Sequence, residues 1–421
     1  MAEKSYGSGW LDTIKYIIEE ALVGRSKAYY AALIGMLLMA GYGLYVWMFV
    51  QHAPIFLKSD YGGMIMTDMS SSVPWGLYIS FFVFWVGVAA AGIVFGIAAY
   101  AFGHKGFKKV AVLGEVQAIA ALVTVLLLIT MDLGRPLRGL ILMPQLPNLH
   151  SMLDWDFIVI FGYLTINLIG FLVTIHYYRQ DKPLPLKFTV PFIIIAAPFA
   201  IGIHTVTAFI SQALTARPIW NSPLLAPEYV ATAFASGPAI LILALVLAEK
   251  YIKGFKVDPD VYKKTLIVIA GSLVVGLYFS LSEAHEIFWY TTEPWKKAQA
   301  EVMIYGYHLP YLGIMYWLWI GLGVAAVILS LIPRVRNTRN GMLLIALLTI
   351  IAVVNEKTMR IVIPAYIPDP LGRYIPYYPT PVEYAITLGA HAIGILLYLA
   401  LARVAIEAIM THYFRGSGAH H

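Results

Sequence analysis

Ten long apolar runs with almost no charge constrain this sequence more than any other feature. They lie at about 29–51, 74–102, 109–131, 154–178, 187–214, 228–250, 264–290, 309–333, 340–362 and 383–411. Each run reaches the roughly 20 residues that a helix needs to cross a bilayer. Because the apolar residues are continuous rather than alternating, the runs favour helices over the strands of a membrane barrel. We therefore predict an all-α polytopic membrane protein with about ten transmembrane helices.

The Lys and Arg residues between the runs predict the orientation of the chain. If the N-terminus is on the inner side, the inner segments hold 19 of the 29 Lys and Arg residues, and the outer segments hold nine. Positive charge accumulates on the cytoplasmic side of membrane proteins. We therefore expect both termini to be cytoplasmic, in a multi-pass protein of the inner membrane. The net charge of +6 follows from the same bias and does not indicate nucleic-acid binding.

The segments that flank the ten runs differ from them in composition. Residues 1–28 contain apolar side chains at helical spacing, namely Trp10, Leu11, Ile14, Ile17 and Ile18. That spacing favours a short amphipathic helix lying on the inner membrane surface. Residues 29–412 are expected to form the membrane domain. The short polar segment 413–421 is typical of a disordered tail.

A cluster of charged residues lies where the third run ends and the fourth begins. The third run is followed by Asp-Leu-Gly-Arg-Pro-Leu-Arg beginning at Asp132, and the fourth starts with Asp154, Trp155 and Asp156. Only 12% of the chain is charged, and a charge at the membrane boundary is costly unless it has a use. The cluster therefore indicates a site at one face of the bilayer. An ion pair between Asp132 and Arg135 across the helix end is an equally good interpretation.

Further polar residues lie near the same predicted end of the fifth, seventh and ninth runs. They are His204, Glu283, His285, Glu286, Asn355, Glu356 and Arg360. A charge at mid-membrane costs roughly 2.5–3.5 kcal/mol, and less toward the interface. The shared depth of these residues predicts a polar cavity that opens toward the outer side. Taken alone, His204 is more typical of a histidine bonded to a backbone carbonyl, and interfacial acids are often only solvated.

Two polar residues of the third run, Glu115 and Gln117, lie in the inner half of the membrane. We interpret them as the start of a proton path from the inner side to the cavity. The alternative is that a water defect, Lys108 or Lys109 relieves the charge of Glu115.

The sequence contains no cysteine. This excludes disulfides, ordinary ligation of an iron–sulfur cluster and covalently attached haem. Only His204, His285 and His391 lie well within the runs, each on a different helix, so the paired histidines of a two-haem membrane cytochrome are absent. We expect no haem, iron–sulfur cluster or bound metal in this chain, and any electrons have to pass to another chain.

Three motifs resemble those of one known family. The Asp-Leu-Gly-Arg-Pro element at Asp132, the later Ser151-Met152-Leu153-Asp154-Trp155 and the earlier Pro74-Trp75-Gly76 resemble the NrfD-like family, the membrane subunits of polysulfide reductase and related complexes. The likeness spans most of residues 70–180. The count of ten helices resembles the branch with hydrogenase-2 HybB, alternative complex III and DsrP. General similarity favours the DsrP subunit of a DsrMKJOP-type complex.

The resemblance implies NrfD-like helical bundles and a subunit that handles a quinone. Such subunits bind menaquinone or ubiquinone near the outer face and exchange electrons with an iron–sulfur, ferredoxin-like partner; a cytochrome c and further membrane subunits are additional candidate partners. A quinone needs hydrogen-bonding groups, a proton route and an apolar path for its tail. We therefore predict proton exchange by Asp132, His204, Glu283, His285 and Glu286. Quinone-binding contacts are predicted for Arg135, Trp155, Asp156 and Asn355.

Two other function classes fit parts of the sequence. Intramembrane acids and the Gly237–Pro238 break also suit a proton-coupled secondary transporter, although a transporter usually gathers its polar residues at the midplane. A purely structural anchor is disfavoured, because buried carboxylates are costly to insert into a membrane and an anchor has no use for them. The proline-rich segment 363–381 is either a docking surface for the outer partner or a stiffened loop.

Overall fold

The computed structural model describes residues 6–23, 26–57, 64–365 and 373–415, which are mostly helical. The main helices are α1 (Trp10–Leu22), α2 (Lys27–Gln51), α3 (Leu77–Ala101), α4 (Ala111–Asp132), α5 (Pro136–Gln145), α6 (Met152–Tyr178), α7 (Leu186–Gln212), α8 (Leu225–Tyr251), α9 (Pro259–Tyr290), α10 (Pro294–Tyr305), α11 (Pro310–Leu331), α12 (Arg339–Val362) and α13 (Pro381–Phe414). All except α1, α5 and α10 are long and apolar enough to cross a membrane. The prediction of an all-α membrane protein with ten spans is confirmed, whereas its orientation stays a prediction.

Two helices extend beyond the predicted apolar runs for local reasons. α9 begins at Pro259 rather than at residue 264, because the Asp258 side chain accepts a hydrogen bond from the backbone N–H of Asp260 and caps the helix. α13 continues through a π-helical turn to Arg415. The first three residues of the predicted disordered tail are therefore helical, and residues 416–421 lie outside the described residues.

The ten spans form two groups of four helices and one pair. α3, α4, α6 and α7 pack together, as do α8, α9, α11 and α12, and α3 joins the two groups by packing against α8 and α12. α2 packs against α13, and α13 in turn lies against α4. Small residues permit such contacts between spans. A Cβ atom at Gly43 of α2 would lie only 2.6 Å from the Cα atom of Gly389 in α13, so these two spans meet backbone to backbone.

A side chain of α4 fastens the contact between α3 and α8. α3 is interrupted at Ala91 and α8 contains Pro238, so both helices depart from regular hydrogen bonding. Gln117 Nε2 donates 3.1 Å hydrogen bonds to the carbonyl oxygens of Val88 and Gly237. Hydrocarbon offers no water to satisfy a freed carbonyl. Gln117 therefore connects the two groups at the point where their helices are irregular.

The spans end on two faces of the bundle. We name one the Asp132 face, after the last residue of α4, and the opposite one the Lys108 face. α1 lies on the Lys108 face against α6 and α13, with Thr13 Oγ1 2.8 Å from His176 Nδ1. Its apolar side chains Trp10, Leu11, Ile14 and Ile18 are exposed. Within the predicted segment 1–28, residues Trp10–Leu22 are helical, and the amphipathic segment on the inner membrane surface stays a prediction.

Candidate functional site

A narrow crevice opens at the Asp132 face between α3, α4, α5 and α6. Apart from Thr130 and Asp156 its walls are apolar, formed by Phe82, Leu126, Ile129, Leu133, Gly139, Leu153, Phe157 and Ile160. Leu133 and Gly139 follow α4, so the segment that starts at Asp132 forms one side of the crevice and the beginning of α6 forms the other. The enclosed volume is 40 Å³. The crevice thus lies between the two charged segments that the sequence singled out.

Asp156 supplies the buried carboxylate of this crevice. Its side chain is 1% exposed, and Thr207 of α7 donates a 2.7 Å hydrogen bond to Asp156 Oδ1. The same hydroxyl lies 2.8 Å from the carbonyl oxygen of Ile203. One hydroxyl hydrogen can serve only one acceptor at a time. The Asp156 carboxylate therefore has spare capacity to accept a hydrogen bond or a proton from a molecule in the crevice.

Asp132 lies beside a network that joins the ends of α2, α3 and α4. Tyr78 donates to Gln51 Oε1 over 2.6 Å, and Gln51 Nε2 donates to the carbonyl oxygen of Met131 over 2.9 Å. Asp132 Oδ1 is buried and has no hydrogen-bond partner among the described residues. Arg135 is exposed, and the described residues hold no ion pair between it and Asp132. The structure thus gives no support to an ion pair across the helix end.

A tyrosine ties the beginnings of α3 and α13 together at the same face. Tyr377 donates a 2.7 Å hydrogen bond to Glu383 Oε1 and accepts one of 2.7 Å from the backbone N–H of Leu77. Burial and the neighbouring Glu383 carboxylate raise the pKa of Tyr377, so its hydroxyl stays a donor at neutral pH. A Cβ atom at Gly76 would clash with that hydroxyl, which explains a glycine there.

Five ionisable residues form a buried ion cluster between α8, α9 and α12. Its members are Glu228, Glu283, Glu356, Lys357 and Arg360, and each is at most 2% exposed. Arg360 donates hydrogen bonds to Glu228 Oε2 and to Glu283 Oε2, and so joins α12 to both other helices. Lys357 Nζ lies 3.1 Å from Glu356 Oε2. With all five ionised, the cluster carries three negative and two positive charges.

Neutral side chains hold the ion cluster in place. Ser280 donates to Glu228 Oε1 and accepts a 2.9 Å hydrogen bond from Trp319 Nε1. Lys357 Nζ donates to Thr232 Oγ1 over 2.8 Å, and Trp220 Nε1 donates to the carbonyl oxygen of Arg360 over 2.7 Å. Such bonds are needed because unpaired charges are expensive to bury. The cluster is thus a fixed part of the α8–α9–α12 packing.

His204 of α7 lies next to the ion cluster. Its ring stacks on the ring of Tyr229, with centroids 5.3 Å apart, and Lys357 Nζ lies 3.7 Å from the centroid of the same tyrosine ring. Thr207, which bonds to Asp156, is one helical turn beyond His204. Both ring nitrogens of His204 are buried without a hydrogen-bond partner among the described residues. The backbone of Tyr229 nevertheless interacts with the His204 ring, outside the geometry of a normal hydrogen bond, so a histidine bonded to a backbone carbonyl is still a fitting interpretation.

Other residues from the same sequence pattern lie apart. His285 is exposed and packs against Trp289, while the exposed Glu286 lies 3.6 Å from Lys296 Nζ. Asn355 Nδ2 donates to a carbonyl of its own helix. The exposed Trp155 donates its indole N–H to the carbonyl oxygen of Leu149. His285 and Glu286 thus lie outside the ion cluster, and Glu283 is the predicted site residue of α9 that belongs to it.

Glu115 and Gln117, the predicted start of a proton path, have different neighbours, and the path itself stays a prediction. They point to different neighbours, because residues two apart lie on different sides of a helix. Gln117 holds the carbonyls of Val88 and Gly237. Glu115 faces α6, where a Cβ atom at Gly170 would lie 3.3 Å from Glu115 Cδ. Glu115 Oε2 is buried and has no hydrogen-bond partner among the described residues.

Glu228 and Lys357 of the ion cluster were not assigned to the polar cavity from the sequence. Glu228 begins the sixth predicted run, where an acid is ordinary. Lys357 and Arg360 were counted with the outer segments in the charge tally, and this was wrong because both are buried within α12. The sequence did contain a signal for a buried ion cluster: Glu356, Lys357 and Arg360 follow each other closely inside an apolar run. The described residues hold no group of three or more acids or histidines arranged to bind a metal ion.

Comparison with known proteins finds one family and several relatives. The model of the family described as polysulphide reductase, NrfD, matches residues 66–368. The chain is 26% identical to a protein of Halobacterium salinarum named as a dimethyl sulfoxide reductase membrane subunit, over 89% of this chain and 92% of that protein. It is 22% identical to the Hdr-like menaquinol oxidoreductase integral membrane subunit of Archaeoglobus fulgidus, over 92% and 97%. It is 24% identical to a selenate reductase subunit of Mesobacillus selenatarsenatis, over 51% and 60%.

Proposed function

This chain belongs to the NrfD family, and from that membership we propose that it is the quinone-binding membrane subunit of a respiratory redox complex. The three relatives are named as subunits of a dimethyl sulfoxide reductase, a menaquinol oxidoreductase and a selenate reductase. All three names describe subunits of redox enzymes, and the name of the Archaeoglobus fulgidus protein includes menaquinol. We therefore favour menaquinol as the substrate, and a redox role over the proton-coupled transporter. The finer DsrP-like assignment stays a prediction.

The crevice beside Asp156 is the observation that carries this proposal. A quinone has a flat apolar ring with two oxygen atoms, and it needs apolar walls together with a few polar groups. Phe82, Phe157 and Ile160 supply such walls, and Asp156 supplies a buried acceptor. The crevice also lies against the membrane-facing side of α6, where Ile158 and Phe161 are exposed. An apolar tail can therefore extend into lipid.

Proton transfer is the chemistry that this chain can contribute. Quinol oxidation releases two protons and two electrons, so a nearby base is required. Asp156 is placed to accept a proton from a hydroxyl in the crevice, and Thr207 holds its carboxylate in position. Asp132 lies at the end of α4 next to the same crevice and is a second candidate acceptor. His285, Glu286 and Asn355 are not part of this proposal, because they face away.

Access to the crevice requires movement. An enclosed volume of 40 Å³ is smaller than a quinone ring, since ligand pockets usually measure about 300–1,000 Å³. α5 is the cover most able to move: it packs chiefly against α4, and its side chains Leu137 and Ile141 are exposed. We propose that α5 shifts outward when the ring enters. The Asp-Leu-Gly-Arg-Pro segment would then act as its hinge.

Electrons have to leave the chain, because it contains no cysteine for an iron–sulfur cluster. We propose an iron–sulfur partner subunit at the Asp132 face, close to the crevice. The aromatic side chains Tyr374 and Tyr378, which follow the undescribed residues 366–372, are at that face and offer contact area. The predicted docking surface at 363–381 lies partly outside the described residues and stays a proposal.

The test is quinol oxidation by the purified complex, with bound quinone measured in the same sample. Asp156→Asn keeps the size of the side chain and removes its ability to accept a proton. We expect quinol oxidation to fall at least about tenfold, as for loss of a general base. Glu286→Gln is the matched control, because it neutralises an exposed carboxylate at the same face. The proposal would be refuted if the wild-type complex held no bound quinone and Asp156→Asn oxidised quinol at an unchanged rate.

A further inference from the structure

The end of α4 is held by side chains that come from another span. α4 ends at Asp132, and the last carbonyl groups of a helix have no partner within that helix. Gln51 Nε2 donates a 2.9 Å hydrogen bond to the carbonyl oxygen of Met131, and His52 Nε2 lies 3.0 Å from the carbonyl oxygen of Leu133. A carbonyl oxygen can only accept, so the His52 ring carries a hydrogen on Nε2 and donates it. The end of α2 thus caps the end of α4.

The surroundings of His52 leave this bond as its polar contact. The side chain is 2% exposed, and Nδ1 has no hydrogen-bond partner among the described residues. Residues Trp47–Gln51 form a π-helical turn, which the N–H of His52 closes by bonding to the carbonyl oxygen of Trp47 over 2.9 Å. Such turns are rare and occur frequently at functional sites. The irregular end of α2 therefore coincides with the residue that holds Leu133.

Leu133 connects this cap to the crevice. Its side chain forms part of the crevice wall. A Cβ atom at Gly139 of α5 would lie 2.7 Å from Leu133 Cδ1, so α5 rests directly on this leucine. The backbone N–H of Leu133 bonds to the carbonyl oxygen of Ile129 over 3.2 Å, whereas the next residue, Gly134, is exposed. Leu133 is therefore the fixed end of the hinge segment, and His52 holds it by its carbonyl group.

The helix that provides the cap lies outside the residues matched by the NrfD family model. The model matches residues 66–368, whereas α2 covers Lys27–Gln51 and α13 covers Pro381–Phe414. α2 and α13 pack against each other, and Glu383 of α13 accepts a hydrogen bond from Tyr377 beside the beginning of α3. This pair of spans thus reaches the crevice region from outside the matched segment. A contribution of α2 to the site is accordingly one that the matched segment does not supply by itself.

We propose that His52 is a positioning residue for quinol binding: its Nε2–H holds Leu133, and Leu133 holds α5 closed over the crevice. This rests on the proposed function of the crevice. His52 does not touch the quinol and keeps its protonation state throughout. It acts on how firmly the ring is retained, because a loosened Leu133 lets α5 leave its closed position more easily. Proton transfer to Asp156 is left unchanged.

The mobility of α5 tests this role without any quinol. Because the chain has no cysteine, Ile141→Cys on the exposed side of α5 provides a single site for a nitroxide spin label. In the purified full chain in lipid nanodiscs, we expect the label to be more mobile in His52→Leu than with His52 present. His285→Leu removes an exposed histidine at the same face and should leave the label unchanged. Equal mobility in His52→Leu and in the chain with His52 would overturn the proposal.

Two conservative variants separate the hydrogen bond from loss of the ring. In His52→Gln the side-chain amide carries its N–H about as far from Cα as Nε2 of histidine, so it can still donate to Leu133. In His52→Asn the amide is one bond shorter and does not reach. We therefore expect His52→Gln to behave as the wild type and His52→Asn to behave as His52→Leu. The opposite order, or equal mobility in the two variants, contradicts a role based on this bond.

Quinol oxidation by the purified complex tests the consequence for binding. In His52→Leu and His52→Asn we expect KM to rise about fivefold, which corresponds to the ~1 kcal/mol of one hydrogen bond, with kcat unchanged. His52→Gln should keep the wild-type KM. A lower kcat in all three variants would show that His52 takes part in the chemistry, and would overturn the positioning role while the crevice stands. If the wild type neither binds nor oxidises quinol, the proposed function fails and this inference with it.

Discussion

Removing the guanidinium of Arg360 should destabilise the protein strongly, because two carboxylates depend on it. Arg360 is 2% exposed and bonds to both Glu228 and Glu283. In Arg360→Gln these carboxylates would have to stay charged without a cation or take up protons. A model glutamate has a pKa of about 4.3, so holding one carboxyl neutral at pH 7 costs about 3.7 kcal/mol. Breaking a buried ion pair costs about 3–5 kcal/mol in general, and we expect a loss in that range.

The loss should depend on pH in a definite direction. At pH 5, neutralising one carboxyl costs only about 1 kcal/mol, so the deficit of Arg360→Gln should shrink as the pH falls. The assay is equilibrium unfolding in mixed micelles with increasing dodecyl sulfate, followed by tryptophan fluorescence at pH 7 and pH 5. Trp220 donates to the carbonyl oxygen of Arg360, and Trp319 donates to Ser280, which bonds to Glu228, so both indoles report on loss of the cluster.

Two matched variants separate this explanation from general disruption. Replacing Arg360 by Met together with Glu228→Gln and Glu283→Gln removes the cation and both dependent charges, so most of the stability should return. Arg403→Gln removes a partly exposed cation that lies 3.6 Å from Glu20, and should cost less than about 1 kcal/mol. A loss below about 1 kcal/mol in Arg360→Gln, equal at both pH values, would refute the reasoning.

Three further predictions concern other parts of the molecule. Gly139→Leu should fill the crevice and raise the KM for quinol at least about tenfold, whereas Gly202→Ala, with open space beside it, should change nothing in the same assay. Gln117→Leu should cost about 1–3 kcal/mol of unfolding free energy, because two buried carbonyls lose their donor. Since the chain has no cysteine, Arg135→Cys should react with an impermeant thiol reagent from outside intact cells and Lys182→Cys should not; the reverse would overturn the predicted orientation.

The number and position of the spans were predictable because hydropathy is a local property. The exact ends of the helices were harder to predict, because they depend on capping residues. A capping residue such as Asp258 lies outside the apolar run that it extends. The pairing of helices was not predictable. Spans are apolar on all sides, so the sequence carries no stripe that marks the face turned toward a neighbour. This is why the contact of α2 with α13 appears only in the structure.

The candidate site was predictable in composition but not in arrangement. Shared depth predicted which polar residues lie near one face, but depth does not specify the angle around a helix. Glu283 and His285 are two residues apart, so their side chains diverge, and only Glu283 points into the bundle. Lys357 was interpreted as a loop residue whose charge helps to set the orientation, since a lysine next to a long apolar run usually marks the end of a span.

The backbone contact between Gly43 and Gly389 implies an order of assembly. These residues are 346 positions apart, and ribosomes add about 5–20 residues per second, so α2 waits on the order of half a minute before α13 is made. During that time the Gly43 side of α2 faces lipid or a helper protein. A chain cut short before α13 would leave that side open permanently, which gives membrane quality control a defined feature by which to recognise unfinished copies.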